Sequence, residues 1–85
     1  MTAAMVLRQA AATIADRHRT YGDPAASMDA IARRWSVTLG PPITPFEVVL
    51  CLIDLKLARL SHNPRHVDSL VDVAGYAALL GEIGR

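Results

Sequence analysis

Hydrophobic residues recur at helical spacing in four stretches of this chain, and proline and glycine punctuate them. The first runs from Thr2 to about Arg17, with Val6, Leu7, Ala10, Ile14 and Arg17 on one stripe, the three-to-four-residue recurrence of an amphipathic helix. It should end near Tyr21-Gly22-Asp23-Pro24, where Gly22 can supply a positive backbone angle, Asp23 a cap and Pro24 a first helical position. A second helix is expected from Pro24 to about Val37, carrying Met28, Ile31, Ala32 and Trp35 on one side. Gly40-Pro41-Pro42 breaks it, and Thr44-Pro45-Phe46-Glu47 restarts the chain with the signature of a capping box. The third helix should reach about Ser61. Asn63-Pro64 interrupts it, and a fourth follows from about His66 to Glu82, with Val67, Leu70, Val71, Ala74, Ala77 and Ala78 forming its apolar side. No stretch alternates with period two. The pattern predicts one all-α domain over residues 1–85, a small four-helix bundle.

The third helix is apolar over most of its circumference: between Phe46 and Leu60 only Glu47, Asp54, Lys56 and Arg59 are charged. Such a helix has to be covered nearly all round, and three short neighbours can hardly enclose it. Self-association, through helices three and four, is the economical expectation.

Composition narrows the class. With 85 residues, 52% hydrophobic and 20% charged, the chain is too apolar for disorder and too short for a second core. One cysteine, Cys51, excludes a disulfide scaffold or a multi-thiolate zinc site. A net charge of +1 disfavours bulk electrostatic binding to nucleic acid. The longest apolar run, Val48 to Ile53, is far short of the roughly 20 residues a bilayer helix needs. Arg8 and Asp16 make the start a poor signal peptide. These features predict a cytoplasmic protein with no membrane partner.

The charges that remain sit where charge is costly. Glu47 and Asp54 share a helical stripe with Cys51 and Ala58, while Lys56, the one lysine, and Arg59 form a basic stripe. On the fourth helix Asp68 and Asp72 are four apart and face the same way, with Gly75 continuing the line; like charges at that spacing repel, so a cation should offset them. Either salt bridges between helices three and four or a polar pocket there would do so. Glu47 is accounted for by its capping box, and Asp68 by the dipole of its helix. A second concentration, Arg17-His18-Arg19-Thr20-Tyr21-Gly22-Asp23, could hold phosphate through forked arginine contacts while Tyr21 stacks on a base, or could be an ordinary helix end. His62 and His66 flank Pro64, which spoils the helical geometry of a metal pair.

Arg19-Thr20-Tyr21-Gly22-Asp23-Pro24, Ile43-Thr44-Pro45, Lys56-Leu57-Ala58-Arg59-Leu60, Asn63-Pro64 and the run from Asp68 to Ala77 together resemble a family of small all-helical phage and prophage proteins of no established activity. The resemblance covers about residues 17 to 80. It implies a viral origin, and hence the cytoplasm of an infected or lysogenic bacterium. A more distant similarity is to the MazG-like all-α nucleotide pyrophosphohydrolases, which bind magnesium with a Glu-x-x-Glu pair on one helix and a Glu-x-x-Asp pair on a later one. Here the later helix offers Asp68 and Asp72, the earlier one Glu47 and Asp54 at spacing seven, and the Glu-x-x-Glu is absent. What that similarity implies is a helical nucleotide pocket in which lysine and arginine replace metal as the phosphate partner.

Three functions are open. In the first, the chain binds a nucleotide or nucleotide-derived signal without a cofactor and keeps it from host defence. Arg19, Lys56 and Arg59 would contact phosphate, Tyr21 or Tyr76 would stack on the base, and Asp23, Asp68 and Asp72 would complete the site. In the second, Asp54, Asp68 and Asp72, with Glu47, hold Mg2+ for MazG-like hydrolysis. In the third, Arg33-Arg34 and Arg17-His18-Arg19 make a DNA-binding or structural accessory protein.

Overall fold

The computed structural model describes residues 1–84, and among them four helices follow one another: α1 (Ala3–Tyr21), α2 (Pro24–Leu39), α3 (Pro45–His62) and α4 (Val67–Ile83). Each boundary has a local cause. Thr2 Oγ1 accepts from the Met5 amide at the start of α1. Gly22, with φ of 82°, turns the chain after Tyr21, where the Tyr21-Gly22-Asp23-Pro24 punctuation places the end of the helix. Asp23 occupies the cap position of α2, yet its side chain makes no capping bond, and Pro24 supplies the first helical residue. The capping box of α3 is complete: Thr44 Oγ1 accepts from the Glu47 amide at 3.1 Å, and Glu47 Oε1 accepts from the Thr44 amide at 3.0 Å. Such a cap contributes about 1 kcal/mol. The connection before it is pinned by Ser36 Oγ, which donates to Ala32 O and accepts from the Ile43 amide at 2.9 Å.

The helices are not arranged evenly. α3 and α4 pack most extensively; α1 lies against α4 and α2 against α3, while α1 and α2 barely touch and α1 does not pack on α3. α4 is therefore the inner helix, with Ser69, Val71, Gly75 and Leu79 buried. Val48 and Val49 of α3 are fully covered, and Ala10 and Ala32 are the points where the outer helices close on the core. Ser69 is buried with its hydroxyl satisfied by His66 Nδ1 at 2.7 Å.

One face of α3 is not covered. Leu50, Leu55 and Leu57 are 41–47% exposed, and Cys51 is also exposed. Leu7, placed on the buried stripe by periodicity, is 63% exposed; the stripe of α1 closes only from Ala10 onward. Among the described residues no helix is long and apolar enough to cross a membrane.

Candidate functional site

Because α1 rests on α4 without packing on α3, a cleft remains over α4, and the charged residues of three helices meet in it. Asp72 is its centre. Its Oδ2 lies 3.0 Å from Lys56 Nζ of α3, and its Oδ1 lies 3.7 Å from Arg17 Nη2 of α1. The Lys56 and Asp72 side chains are only 14% and 12% exposed, against 51% for Arg17. Ionised groups buried to that degree require a partner, and one carboxylate serves two cations. Arg17 Nη1 also donates to Tyr76 Oη at 3.5 Å. That bond is the main reason the guanidinium is held above its ordinary range; partial burial opposes it, and the nearby Tyr76, Asp72 and Tyr21 charges add to it. Arg17 is a permanent cation.

Two adjoining cavities share this centre. The larger, about 350 Å³, runs between α1, the start of α2 and α4. Ile14, Met28, Ile31, Leu52 and Leu79 give it an apolar lining, with Tyr21, Tyr76 and His18 also on its walls. The smaller, about 290 Å³, is lined by Lys56, Arg59, His66, Asp68, Gln9 and others. Thr13, Arg17, Val71 and Asp72 line both. One lobe is thus apolar and rimmed by phenols, while the other carries three permanent cations against two carboxylates. Arg59 and Asp68 have no ion-pair partner among the described residues, so Arg59 is available to an anion.

Gly75 lies on the wall of the apolar lobe, inside α4. A mid-helix glycine costs about 1 kcal/mol relative to alanine. Nothing in the fold demands it, because a Cβ there would meet only Ile14 Cγ1, at 3.9 Å, an ordinary contact.

Of the residues singled out by sequence, Lys56, Arg59, Asp68 and Asp72 come together in the charged lobe, and Tyr21 and Tyr76 in the apolar one. Arg19 and Asp23 line neither. Arg19 pairs with Asp16 on the outer side of α1, because α1 continues to Tyr21 and turns position 19 roughly 200° away from position 17. Thr13, Gln9 and His66 are additions to the expected phosphate site. Arg17 was part of the expected Arg17–Asp23 segment, and its place on the buried stripe with Ala10 and Ile14 carries it, and not Arg19, into the cleft. Asp54 is exposed and lines neither cavity, and Glu47 is engaged in its cap. Among the described residues no three of His, Cys, Asp or Glu gather where a metal could sit. Asp68 and Asp72 line the charged lobe while Asp54 lies outside it, so the three carboxylates do not converge on one point. Arg33 is paired with Asp29 along α2 at 2.9 Å.

The family described as Domain of unknown function (DUF6378) matches residues 5–84. The chain is similar to the Gene 55 protein of Mycobacterium phage L5, 40% identical over 65 residues, which covers 75% of this chain and 42% of that protein. It is also similar to the Gene 55 protein of Mycobacterium phage D29, 34% identical over 68 residues, covering 80% and 45% respectively. The chain thus spans less than half the length of these relatives. No solved structure matches it.

Proposed function

The chain belongs to the DUF6378 family, and from that premise we propose that this small phage-type protein binds a nucleotide or nucleotide-derived molecule across its two cavities. One observation carries the reading: an apolar, tyrosine-rimmed lobe and a cationic lobe share the wall formed by Thr13, Arg17, Val71 and Asp72. A nucleotide has the same two halves, a flat weakly polar ring and an anion, held a few bonds apart. In this assignment Tyr21 and Tyr76 flank the base. Arg17, Lys56 and Arg59 take the phosphate, with Arg17 in the place expected of Arg19, and charge-assisted contacts to arginine are the strong ones. Asp72 or Asp68 accepts from a ribose hydroxyl or a base amine.

We infer binding without turnover, because Asp54 lies outside the lobe that Asp68 and Asp72 line; hydrolysis with magnesium on those carboxylates is the alternative that the following test separates. The distant likeness to MazG-like enzymes then extends to the ligand class and not to the reaction. Stoichiometric capture would remove the molecule from solution, and keeping a signalling nucleotide from host defence is the role we assign to it. The test is to incubate the purified protein with a nucleotide panel, with and without magnesium, and to identify bound and free species by mass spectrometry. Unchanged nucleotide released by heat from a near one-to-one complex is the expected result. Cleaved products accumulating catalytically, or no nucleotide retained, would overturn the proposal. Arg59→Ala should weaken binding about tenfold or more while leaving stability within about 0.5 kcal/mol, because Arg59 supports nothing inside the fold.

We also propose that a second copy covers the outer face of α3, where Leu50, Leu55 and Leu57 flank the small side chains of Cys51 and Ala58. The molecule is only 21 Å across its short dimension, about two helix diameters, so α3 has no third layer of its own to shelter it.

A further inference from the structure

We infer that Gly75 is the seat of the ligand's planar ring: the absent side chain leaves the α4 backbone bare so that a flat aromatic group can lie against it in the apolar lobe. The inference rests on the binding reading above and adds the residue that decides which ligands fit. Three observations meet at this position. Gly75 is buried in the middle of α4 and lines the apolar cavity. Its φ is not in the positive range, which among the glycines is confined to Gly22, Gly40 and Gly84, so the backbone conformation does not require glycine. Its missing Cβ would touch only Ile14 Cγ1 at 3.9 Å, so the approach of α1 to α4 does not require it either.

What remains is the space itself, which a methyl group would begin to fill. Glycine inside a helix is otherwise a liability, and close approach of backbone to a ligand is one of the few uses that offsets it. Gly81, also within α4, shows the contrast. It is exposed and has nothing within 4 Å of a built Cβ, but it lines neither lobe. The neighbouring Tyr76 and Tyr21 line the same cavity, which suits a ring.

The experiment is Gly75→Ala, read by thermal unfolding and by calorimetric titration with the nucleotide that the wild-type protein retains best, and with ribose 5-phosphate as an anion that lacks the ring. The substitution should raise Tm by roughly 4–8 °C, the ordinary gain for replacing a helical glycine in a domain of this size. Nucleotide affinity should fall at least tenfold, and binding of ribose 5-phosphate should stay within twofold. A variant that is stabilised yet binds the nucleotide like wild type overturns the seat and leaves the binding reading standing. A lowered Tm overturns it too, since the space would then not be open. A wild-type protein that retains no nucleotide ends both. A purely structural glycine would move Tm without changing the ratio of the two affinities.

Discussion

α3 shelters one lysine on the side that meets α4 and leaves three leucines bare on the other. On the inner side Lys56 is 14% exposed and bonded to Asp72; one residue further on, Leu57 is 47% exposed. Exposed leucines taken singly are unremarkable, whereas a buried ammonium or a cluster of exposed leucines is informative. Here both occur on one helix. The sheltered lysine bonded to Asp72 marks the cleft over α4 as an electrostatic site, and the bare leucines are the face on which we propose that a second copy packs.

The sharpest way to break this comparison is to discharge its inner side. Asp72→Asn keeps the shape and removes the one carboxylate shared by Lys56 and Arg17. Breaking a buried pair strands the remaining charge, at a cost of about 3 kcal/mol. Because domains of this size have little stability to lose, the urea midpoint should drop severely. Lys56→Met together with Asp72→Asn should recover most of the loss, since the stranded charge is then gone. A single-variant loss under about 1 kcal/mol would mean that Lys56 reaches water and that the inner side is not a buried electrostatic site.

The outer side is broken by Leu50→Glu combined with Leu57→Glu. Both positions are exposed, so the fold should keep its stability to within about 1 kcal/mol. Self-association, followed by light scattering over a concentration series, should weaken about a hundredfold, which corresponds to roughly 2.7 kcal/mol. If the wild-type protein is a single copy at every concentration, the leucines have no partner copy.

The same asymmetry explains what could be read from the sequence. The start of α3 was legible because Thr44, Pro45 and Glu47 act locally, and the start of α2 because Pro24 does. The convergence of Lys56 with Asp72 was legible in outline, since helices joined by a short turn pack side by side and present their inner stripes to each other. The contribution of α1 was not. Whether α1 lies on α3 or on α4 depends on long-range packing, and that choice brings Arg17, Thr13 and Gln9 into the charged lobe while leaving Arg19 with Asp16. The end of α1 at Gly22 was legible by contrast, since Gly22 and Pro24 act locally. The joining of the apolar and charged lobes had no local signature, because Arg17, Lys56 and Tyr76 come from three helices.

The finest distinction within the cleft concerns Arg17, which links its apolar and charged lobes. Tyr76→Phe removes the phenol that Arg17 reaches at 3.5 Å, a length at the limit of a hydrogen bond, so stability should change by no more than about 0.5 kcal/mol. The pH behaviour follows from the sign of the shift. Arg17 has its folded pKa raised, chiefly by the hydrogen bond to Tyr76. Its contribution is fully present below the unfolded pKa and fades only as pH rises through the folded value. Across pH 5–9 the variant and the wild type should therefore show parallel stability curves, separated by a constant small offset. Curves that converge or cross in that window would assign the coupling to another titrating group and would remove Arg17 and Tyr76 as the joint between the two lobes.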